Sequence, residues 1–450
     1  MKPTLFSIIF LLTSLCLYSQ NNQQLPAFPG AEGWGMHAKG GRGGIVLAVT
    51  NLNDDGPGSF REAVMNPNPR IVIFKVSGTI ELQSELKITS PYLTIAGQTA
   101  PGDGICLKNY PLEIFNTHDI VVRFIRIRPG IGSGRKGSEL DGIEIRNSSH
   151  VIIDHCTVNW TNDEAVNNWH GGRFVTFQWC IIAEPLNQSV HEKGAHGYGA
   201  SIGGFKTSFH HNILSSAIAR NVSVAGNNQN TTMMLDMRNC VISNWEHRTT
   251  DGKPLSINVV NNYYKAGPAT QADVKRRIAR IDNSEHYGFS GIWHIDGNFV
   301  EGYPEISANN WNGGVDFEEG TSEIRNRRLT PFDFGAVKTH TAIEAYDLVL
   351  QHAGVTVPKR DAHENRIVEQ IRTNNFPFGN NGIINAVEEV GGYPQLNSTP
   401  PPTDSDGDGI PDEWERANGL NPNDPSDATQ LSANGYTHIE NYINSLVPEK

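Results

Sequence analysis

The sequence has few charged residues, few cysteines and no long apolar run. Charged residues make up 19% of the 450 residues, and the formal net charge at pH 7 is −12. No run of Lys and Arg forms the basic surface that a nucleic-acid partner requires. The apolar run at residues 5–17 is shorter than the roughly 20 residues of a membrane-spanning helix. We therefore expect neither a nucleic-acid partner nor a membrane span.

The N-terminus resembles a secretory signal peptide. Lys2 precedes the apolar run, and Tyr18, Ser19 and Gln20 follow it. This order is typical of a signal that is removed on export. We predict a signal peptide over residues 1–20 and a secreted product, in the periplasm, at the cell surface or outside the cell. A retained membrane anchor and a lipid on Cys16 are the alternatives.

Four cysteines remain after that cleavage, at positions 106, 156, 180 and 240. An even number in an exported protein allows disulfides. The apolar sequence around each one fits a buried free thiol equally well. No Cys and His spacing of a zinc site is present.

Glycine is abundant instead, at 45 residues, and it separates short apolar segments that recur along the chain. Aligning these segments places Ile125, Cys156, Cys180, Asn212, Cys240 and Asn262 at equivalent positions, with steps of 31, 24, 32, 28 and 22 residues. Strands that repeat at this length indicate a β-solenoid, in which each coil buries its apolar face against the next. A β-sandwich is the alternative fold. Asparagines at turn positions predict a hydrogen-bonded ladder, formed by Asn147, Asn212, Asn239, Asn262 and Asn298.

The ends of the chain differ from this repeat. Residues 57–65 read as a short helix that could close the first coil, and residues 341–354 and 365–373 have helical spacing and are expected to pack outside the coil. We predict that the coiled domain covers residues 21–390. A Pro-rich linker at 391–403 and a small acidic module at 404–450 follow it.

The acidic module opens with the spacing of a calcium-binding loop. Its candidate side-chain ligands are at positions 1, 3, 5, 9 and 12 of the loop, namely Asp404, Asp406, Asp408, Asp412 and Glu415. Ile410 would supply a backbone carbonyl, and Gly409 stands at position 6, where an EF-hand loop turns sharply. The pattern resembles thrombospondin type 3 or dockerin loops. Asn421, Asn423 and Asp427 could serve a second cation.

A second polar cluster lies within the repeats. Asp141 precedes one strand, and Asp163 and Asn167 follow a later one. Stacked coils would bring these oxygen ligands together as a Ca²⁺ site. Glu192 and Lys193 stand in a Gly- and His-rich loop, and Arg220 follows the next strand. Acidic ligands beside isolated cations suit an anionic sugar chain.

Several longer segments carry a resemblance to a known family. They are AFPGAEGWG at 27–35, IDHC at 153–156, EKGAHGYG at 192–199, FHHNIL at 209–214, RNCVISNW at 238–245 and NVVNNYY at 258–264. On these segments the chain resembles the pectate lyases of polysaccharide lyase family one, in a form common in Bacteroidetes. The resemblance covers roughly residues 26–300.

The resemblance implies an all-β, right-handed parallel β-helix with flanking helices, and β-elimination on polygalacturonate. It implies calcium carboxylates at Asp141, Asp163 and position 167, where Asn replaces the usual Asp. It further implies a catalytic arginine at Arg220 and a substrate-binding lysine at Lys193. Lys193 is also a candidate catalytic residue, because the alternative assignment makes Arg220 a carboxylate clamp and Lys193 the base. The family's second arginine after Arg220 is absent here, and Arg238 is a candidate replacement. Glu192 and His196 would line the substrate site, and we expect a monomer.

Two rival functions remain open at this point. A β-helix glycoside hydrolase would need Asp residues that act as acid and base on adjacent coils. A polysaccharide-binding β-helix without activity would need no catalytic arginine. The Lys and Arg that accompany the calcium-like carboxylates favour the lyase.

Overall fold

The computed structural model describes residues 24–132, 139–168, 171–224, 233–283 and 291–448. The predicted signal peptide lies outside these residues. Within them the chain forms three long sheets whose paired strands all run parallel. Each coil adds one strand to each sheet, so the fold is a parallel β-helix as predicted, and the β-sandwich alternative is wrong.

Sheet 1 has ten strands in chain order, and it contributes the first strand of the solenoid. Its strands are Ile45–Val49, Arg70–Phe74, Leu93–Ala96, His118–Arg123, Ser149–Asp154, Arg173–Gln178, Phe205–His210, Met234–Arg238, Ser256–Val260 and Ile292–Asp296.

Sheet 2 follows sheet 1 after a tight corner in each coil. Its strands are Gly78–Glu81, Ile105–Lys108, Ile125–Arg128, Thr157–Asn159, Ile181–Ala183, Ile213–Ser215, Val241–Ser243, Tyr263–Lys265 and Phe299–Val300. The corners use left-handed backbone at Phe124, His155, Trp179 and His211.

Sheet 3 completes each coil and carries the candidate site. Its strands are Leu86–Ile88, Leu112–Phe115, Ile143–Arg146, Glu164–Asn168, Tyr198–Ile202, Ser223–Val224, Thr250–Gly252, Ala279–Ile281 and Val315–Phe317.

The repeat alignment made from the sequence agrees with the register of sheet 2. Thr157 pairs with Arg126 and Ile181, and Ile213 pairs with Ile181 and Val241. The residues one position earlier, from Ile125 to Asn262 in the alignment, therefore stack above one another. Like residues in one row share one environment, because each strand sits about 4.8 Å from the next.

An asparagine ladder is present at the corner before sheet 2. The Asn262 side chain donates to the Asn298 Oδ1, and Asn298 donates to Asn310, both at 2.9 Å. Asn212 accepts from the Cys180 N–H at 2.8 Å. Such bonds satisfy buried backbone groups at the turns. Asn147 and Asn239 were wrongly placed in this ladder. Asn147 lies at the turn from sheet 3 to sheet 1, and Asn239 holds the left-handed position one residue before the ladder row at the corner before sheet 2.

The described cysteines 106, 156, 180 and 240 are all buried free thiols. Burial raises the pKa of Cys106 to about 11 and that of Cys156 to about 12. These thiols serve as small apolar residues in the core rather than as a disulfide framework.

Short helices close and flank the solenoid. The helix Phe60–Met65 is capped by the Ser59 side chain and buries Phe60, Ala63 and Val64 in the main core, so it closes the first coil as expected. The helices Ala342–His352 and Ala362–Thr373 both begin with capping boxes. They pack Val349, Ile367 and Ile371 on the outer side of sheet 2. The remaining helices are Pro304–Ala308, Glu323–Asn326, Asp412–Asn418 and His438–Ser445, with short 3₁₀ turns at Gly97–Thr99, Ala272–Val274 and Val387–Val390. None of the described helices combines the length and apolarity needed to span a bilayer.

The C-terminal module packs on the outer side of sheet 1. Ile410, Ile439 and Ile443 are buried against Ile71 and Ile73. Arg42 pairs with Glu440 at 2.9 Å, and Lys75 pairs with Asp404 at 2.9 Å. The preceding segment, predicted as a linker, also contacts the solenoid, because Ser398 bridges Gly102 and the Asn397 N–H donates to Asp103.

Candidate active site

A cleft of about 540 Å³ runs along the outer face of sheet 3. Its walls hold seven carboxylates and four cationic side chains. Six residues named from the sequence line it, namely Asp141, Asp163, Asn167, Lys193, His196 and Arg220. The coils therefore bring together residues that are up to 79 positions apart in the sequence.

Three carboxylates form the centre of the cleft. Asp141, Asp163 and Glu164 each place an oxygen within 4.8 Å of the others. Burial, and after it the charge of Asp163, raises the pKa of Asp141 well above its usual value. Anionic groups held this closely repel one another unless a cation or a proton lies between them. Oxygen ligands in this arrangement fit a hard divalent cation.

Asn167 is joined to this cluster by a hydrogen bond. Its amide donates to the Asp141 Oδ2 at 2.9 Å, and the Glu164 N–H donates to the other oxygen of Asp141 at 3.1 Å. The register of sheet 3 explains the contact, because Asn167 pairs with Glu144, three residues after Asp141. Asn167 thus orients the Asp141 carboxylate. An asparagine can do this through its amide N–H, although the family usually has Asp at this position.

Two histidines approach Asp163 from the Gly- and His-rich loop. The His196 Nε2 lies 3.1 Å from Asp163, and the His191 Nε2 lies 3.6 Å from it. Their rings stack with centroids 3.9 Å apart. The His191 Nδ1 accepts a hydrogen bond from the Lys193 N–H, so a neutral His191 carries its proton on Nε2. The His191 Nε2 has no hydrogen bond from the described residues, and together with Asp163 and His196 it forms a second group that could hold a metal ion.

Arg220 lies beside the carboxylates. Its guanidinium forms an ion pair with Glu164 and stands over the Tyr198 ring, 4.2 Å from the centroid. Burial, with a further contribution from the charge of Arg248, lowers the pKa of Arg220 from its ordinary value. A left-handed backbone at Arg220 turns the chain into the strand Ser223–Val224.

Lys193 stands at the open edge of the cleft. Its side chain is 61% exposed, and its Nζ lies 3.4 Å from Glu139. An exposed ammonium of this kind can meet a carboxylate that enters from solvent.

Two predicted site residues lie elsewhere. Arg238 ends a strand of sheet 1, where it pairs with Asp236 at 2.6 Å and donates to Thr339 at 2.8 Å. Glu192 is exposed and is not among the cleft-lining residues.

Sequence reasoning did not single out Glu164 and Tyr198, which are register partners on neighbouring coils. The available signals were that Glu164 follows Asp163 directly and that Tyr198 lies within the EKGAHGYG segment.

The C-terminal loop forms a separate carboxylate cluster. Asp404, Asp406 and Asp408 come together, and Asp408 also meets Glu415 and Asp427. Both oxygens of Glu415, and one each of Asp406, Asp408 and Asp427, are buried without a hydrogen bond from the described residues. Burial and neighbouring carboxylates raise the pKa of Asp408 to about 6 and that of Glu415 to about 7. Orphaned buried carboxylate oxygens of this number fit a bound cation.

Two residues of that loop have contacts that the sequence did not predict. Asp412 accepts from the Ser405 N–H and hydroxyl and from Arg416, so it orients the loop and the following helix. Asp427, expected at a second cation, joins the first cluster instead. The Ile410 N–H donates to Asp408 at 2.8 Å.

The fold and the cleft define a parallel β-helix protein with an acidic cleft on one sheet, whose carboxylates could hold a cation. Two curated relatives cover nearly the whole chain. "Probable pectate lyase C" of Neosartorya fischeri is 35% identical over 448 residues, which is 97% of this chain and 98% of the relative. "Probable pectate lyase C" of Aspergillus terreus is 35% identical over 453 residues, 98% of each. The chain belongs to the pectate lyase family, whose enzymes are polysaccharide lyases.

Structural comparison agrees on the fold. The crystal structure of jun a 1, the major allergen from cedar pollen, has a TM-score of 0.54 and 16% identity, and the match covers 72% of this chain and 93% of that one. No family model matches the sequence.

Proposed function

We propose that the protein is a secreted, calcium-dependent pectate lyase that acts as a monomer. It cleaves α-1,4-linked polygalacturonate by β-elimination and leaves 4,5-unsaturated oligogalacturonides. One observation carries the proposal: the half-buried Arg220 guanidinium adjoins the carboxylate cluster in the cleft, where it pairs with Glu164, and burial lowers its pKa. Family membership supports the same reaction class.

Asp141, Asp163 and Glu164 would hold the Ca²⁺, with Asn167 orienting Asp141. A cation bound by these residues would neutralise the substrate carboxylate next to C5, where negative charge develops. The raised pKa of Asp141 supports a site in which a cation is needed to keep three carboxylates ionised together.

Arg220 takes the proton from C5. The electron pair of that C–H bond forms the C4–C5 double bond, the C4–O4 bond breaks, and the departing O4 takes a proton from water. Arginine is a weak base because it normally stays protonated. Burial lowers the pKa of Arg220, and the Glu164 partner holds the guanidinium in place until substrate arrives.

Lys193 binds a substrate carboxylate from the rim of the cleft. Its exposure lets it approach the uronate without first losing a buried partner. This division of roles makes Lys193 a binding residue and Arg220 the base. Arg238, on sheet 1, has no part in it.

An absorbance assay tests the proposal. Incubation with polygalacturonate should produce the ultraviolet band of an unsaturated uronide, and excess chelator should abolish it. Reducing ends without that band would indicate a hydrolase, and binding without either product would indicate a non-catalytic β-helix. Full activity in chelator would contradict the role of calcium.

The C-terminal loop is proposed to hold a second, structural Ca²⁺ through Asp404, Asp406, Asp408, Glu415, Asp427 and the Ile410 carbonyl. Its carboxylates carry most of the −8 net charge of residues 404–450. Neutralising them would strengthen the packing of this module on Ile71 and Ile73.

A further inference from the structure

The Tyr198 ring lies on the coil that separates Glu164 from Arg220. Tyr198 begins the strand Tyr198–Ile202 and is the register partner of Glu164 on the preceding coil. On the following coil it forms a parallel bridge with Ala219, the residue before Arg220. Since neighbouring strands are about 4.8 Å apart, the backbones of Glu164 and Arg220 are roughly 10 Å apart. The Arg220 side chain spans this distance across the Tyr198 ring to reach Glu164.

Tyr198 is itself packed on several sides. Its ring contacts the small apolar cluster of Ile218, Ala219 and Ile383. The His196 ring is a further neighbour, with its centroid 4.1 Å from that of Tyr198. The Tyr198 hydroxyl has no hydrogen-bond partner among the described residues, so the ring makes these contacts. A ring packed in this way keeps one orientation.

The same strand fixes the backbone of Arg220. The Gly199 N–H donates to the Ala219 carbonyl at 3.1 Å, and the Ala200 N–H donates to the Arg220 carbonyl at 2.7 Å. The guanidinium is separated from this backbone by a long side chain of high rotamer freedom, so contacts at its end must position it. Those contacts are the ion pair with Glu164 and the Tyr198 ring, whose centroid is 4.2 Å away.

The two contacts respond differently to a bound cation. Glu164 belongs to the carboxylate cluster that would hold Ca²⁺, so its charge would then be shared between the cation and Arg220. Tyr198 is not part of that cluster. An aromatic face attracts a cation, and a planar guanidinium stacks on it in a defined orientation. The ring is therefore the contact that still positions Arg220 when the metal is bound.

We propose that Tyr198 is a positioning residue, whose ring holds the Arg220 guanidinium in the orientation required to take the proton from C5. The inference rests on the proposed function, because Tyr198 acts through the base assigned there. Tyr198 is not among the cleft-lining residues, so it acts on Arg220 rather than on substrate. Displacement of a reacting group by about 1 Å can lower a rate by about a hundredfold. Loss of the ring should thus lower kcat and leave KM unchanged.

The test compares variants with and without the aromatic ring in the full chain at saturating Ca²⁺. Tyr198→Phe keeps the ring and removes the hydroxyl, whereas Tyr198→Leu and Tyr198→Met remove the ring and stay apolar. Tyr92→Leu is the matched control, because Tyr92 is also a half-buried tyrosine with a cation, the Lys39 ammonium, 5.3 Å from its ring centroid. Tyr92 precedes a strand of sheet 1 and does not line the cleft. Absorbance kinetics on polygalacturonate give kcat and KM.

We expect Tyr198→Phe and Tyr92→Leu to keep kcat within about twofold of the wild-type value. Tyr198→Leu and Tyr198→Met should lower kcat by roughly ten- to a hundredfold and leave KM within about twofold. In an Arg220→Lys background, Tyr198→Leu should cause no further loss, because the planar group that the ring orients is absent. The Ca²⁺ concentration for half-maximal activity should not change, since Tyr198 lies outside the carboxylate cluster.

Wild-type kcat in the ringless variants, together with a large loss in Arg220→Lys, overturns the inference. An additive loss in the double variant also overturns it, because the ring would then act on another group. A higher Ca²⁺ requirement in Tyr198→Leu has the same consequence, since the ring would then support Glu164. Near-normal kcat in Arg220→Lys contradicts the proposed function itself. Thermal melting identifies a variant that is unfolded at the assay temperature, and the second ringless variant then decides the outcome.

Discussion

Arg220→Lys separates the base from the binding residue. The substitution keeps a positive charge next to Glu164 but removes the planar fork and its contact with the Tyr198 ring at 4.2 Å. Loss of that contact should lower the free energy of unfolding by about 1 kcal/mol. Loss of a general base should lower kcat by roughly 10²- to 10⁴-fold, which corresponds to about 3–5 kcal/mol of barrier. The catalytic effect therefore exceeds the folding effect.

Steady-state absorbance kinetics over a pH series measure both parameters. For Arg220→Lys we expect a large fall in kcat with little change in KM. For Lys193→Ala we expect KM to rise roughly tenfold or more, because one charge-assisted hydrogen bond is worth about 1.5–3 kcal/mol. Arg173→Lys is the matched control, since that arginine also lies near a ring, Phe205, but on sheet 1. The wild-type rate should rise toward alkaline pH as Arg220 loses its proton. Near-normal kcat in Arg220→Lys would refute the assignment of the base.

Further outcomes follow from the two cation sites and from Arg238. Asn167→Asp adds a carboxylate beside Asp141 and should lower the Ca²⁺ concentration for half-maximal activity; an unchanged titration counts against the site. Arg238→Ala should leave KM unchanged, because its guanidinium bonds Asp236 and Thr339, and a raised KM would restore it as a substrate residue. Without Ca²⁺, the C-terminal module should lose stability as the pH rises from about 4 to about 7. Folded Asp408 and Glu415, with pKa values of about 6 and about 7, bind protons that the unfolded chain releases at lower pH. Calorimetry in chelator measures this, and rising stability over the same window would contradict it. Ile439→Ala should lower the free energy of unfolding of the module by about 2–5 kcal/mol and leave kcat unchanged. Ile439 is fully buried against the outer side of sheet 1, away from the cleft. A parallel fall in kcat would show that the module supports the active site.

The sequence by itself was sufficient for the fold. The spacing from Ile125 to Asn262 predicts the register of sheet 2 because identical coils must bury equivalent residues in the same row. The capped helices near residues 60, 342 and 362 are also local, since their N-cap side chains lie within three residues of the N–H groups they bond.

Only the tertiary structure decided which polar residues share a site. Asp141 and Asp163 meet because their coils are adjacent. Arg220 lies two coils beyond Glu164, and its long side chain reaches that carboxylate across the Tyr198 ring on the coil between them. Arg238 has a similar sequence context, yet it ends a strand of sheet 1, so its partners are Asp236 and Thr339. The lengths of the loops within a coil decide which of the three sheets a residue joins. A short sequence motif around that residue carries no information about those loop lengths. The C-terminal loop shows the same dependence on tertiary structure. The return of the chain brings Asp427 beside Asp408, whereas Asp412 accepts hydrogen bonds from Ser405 and Arg416.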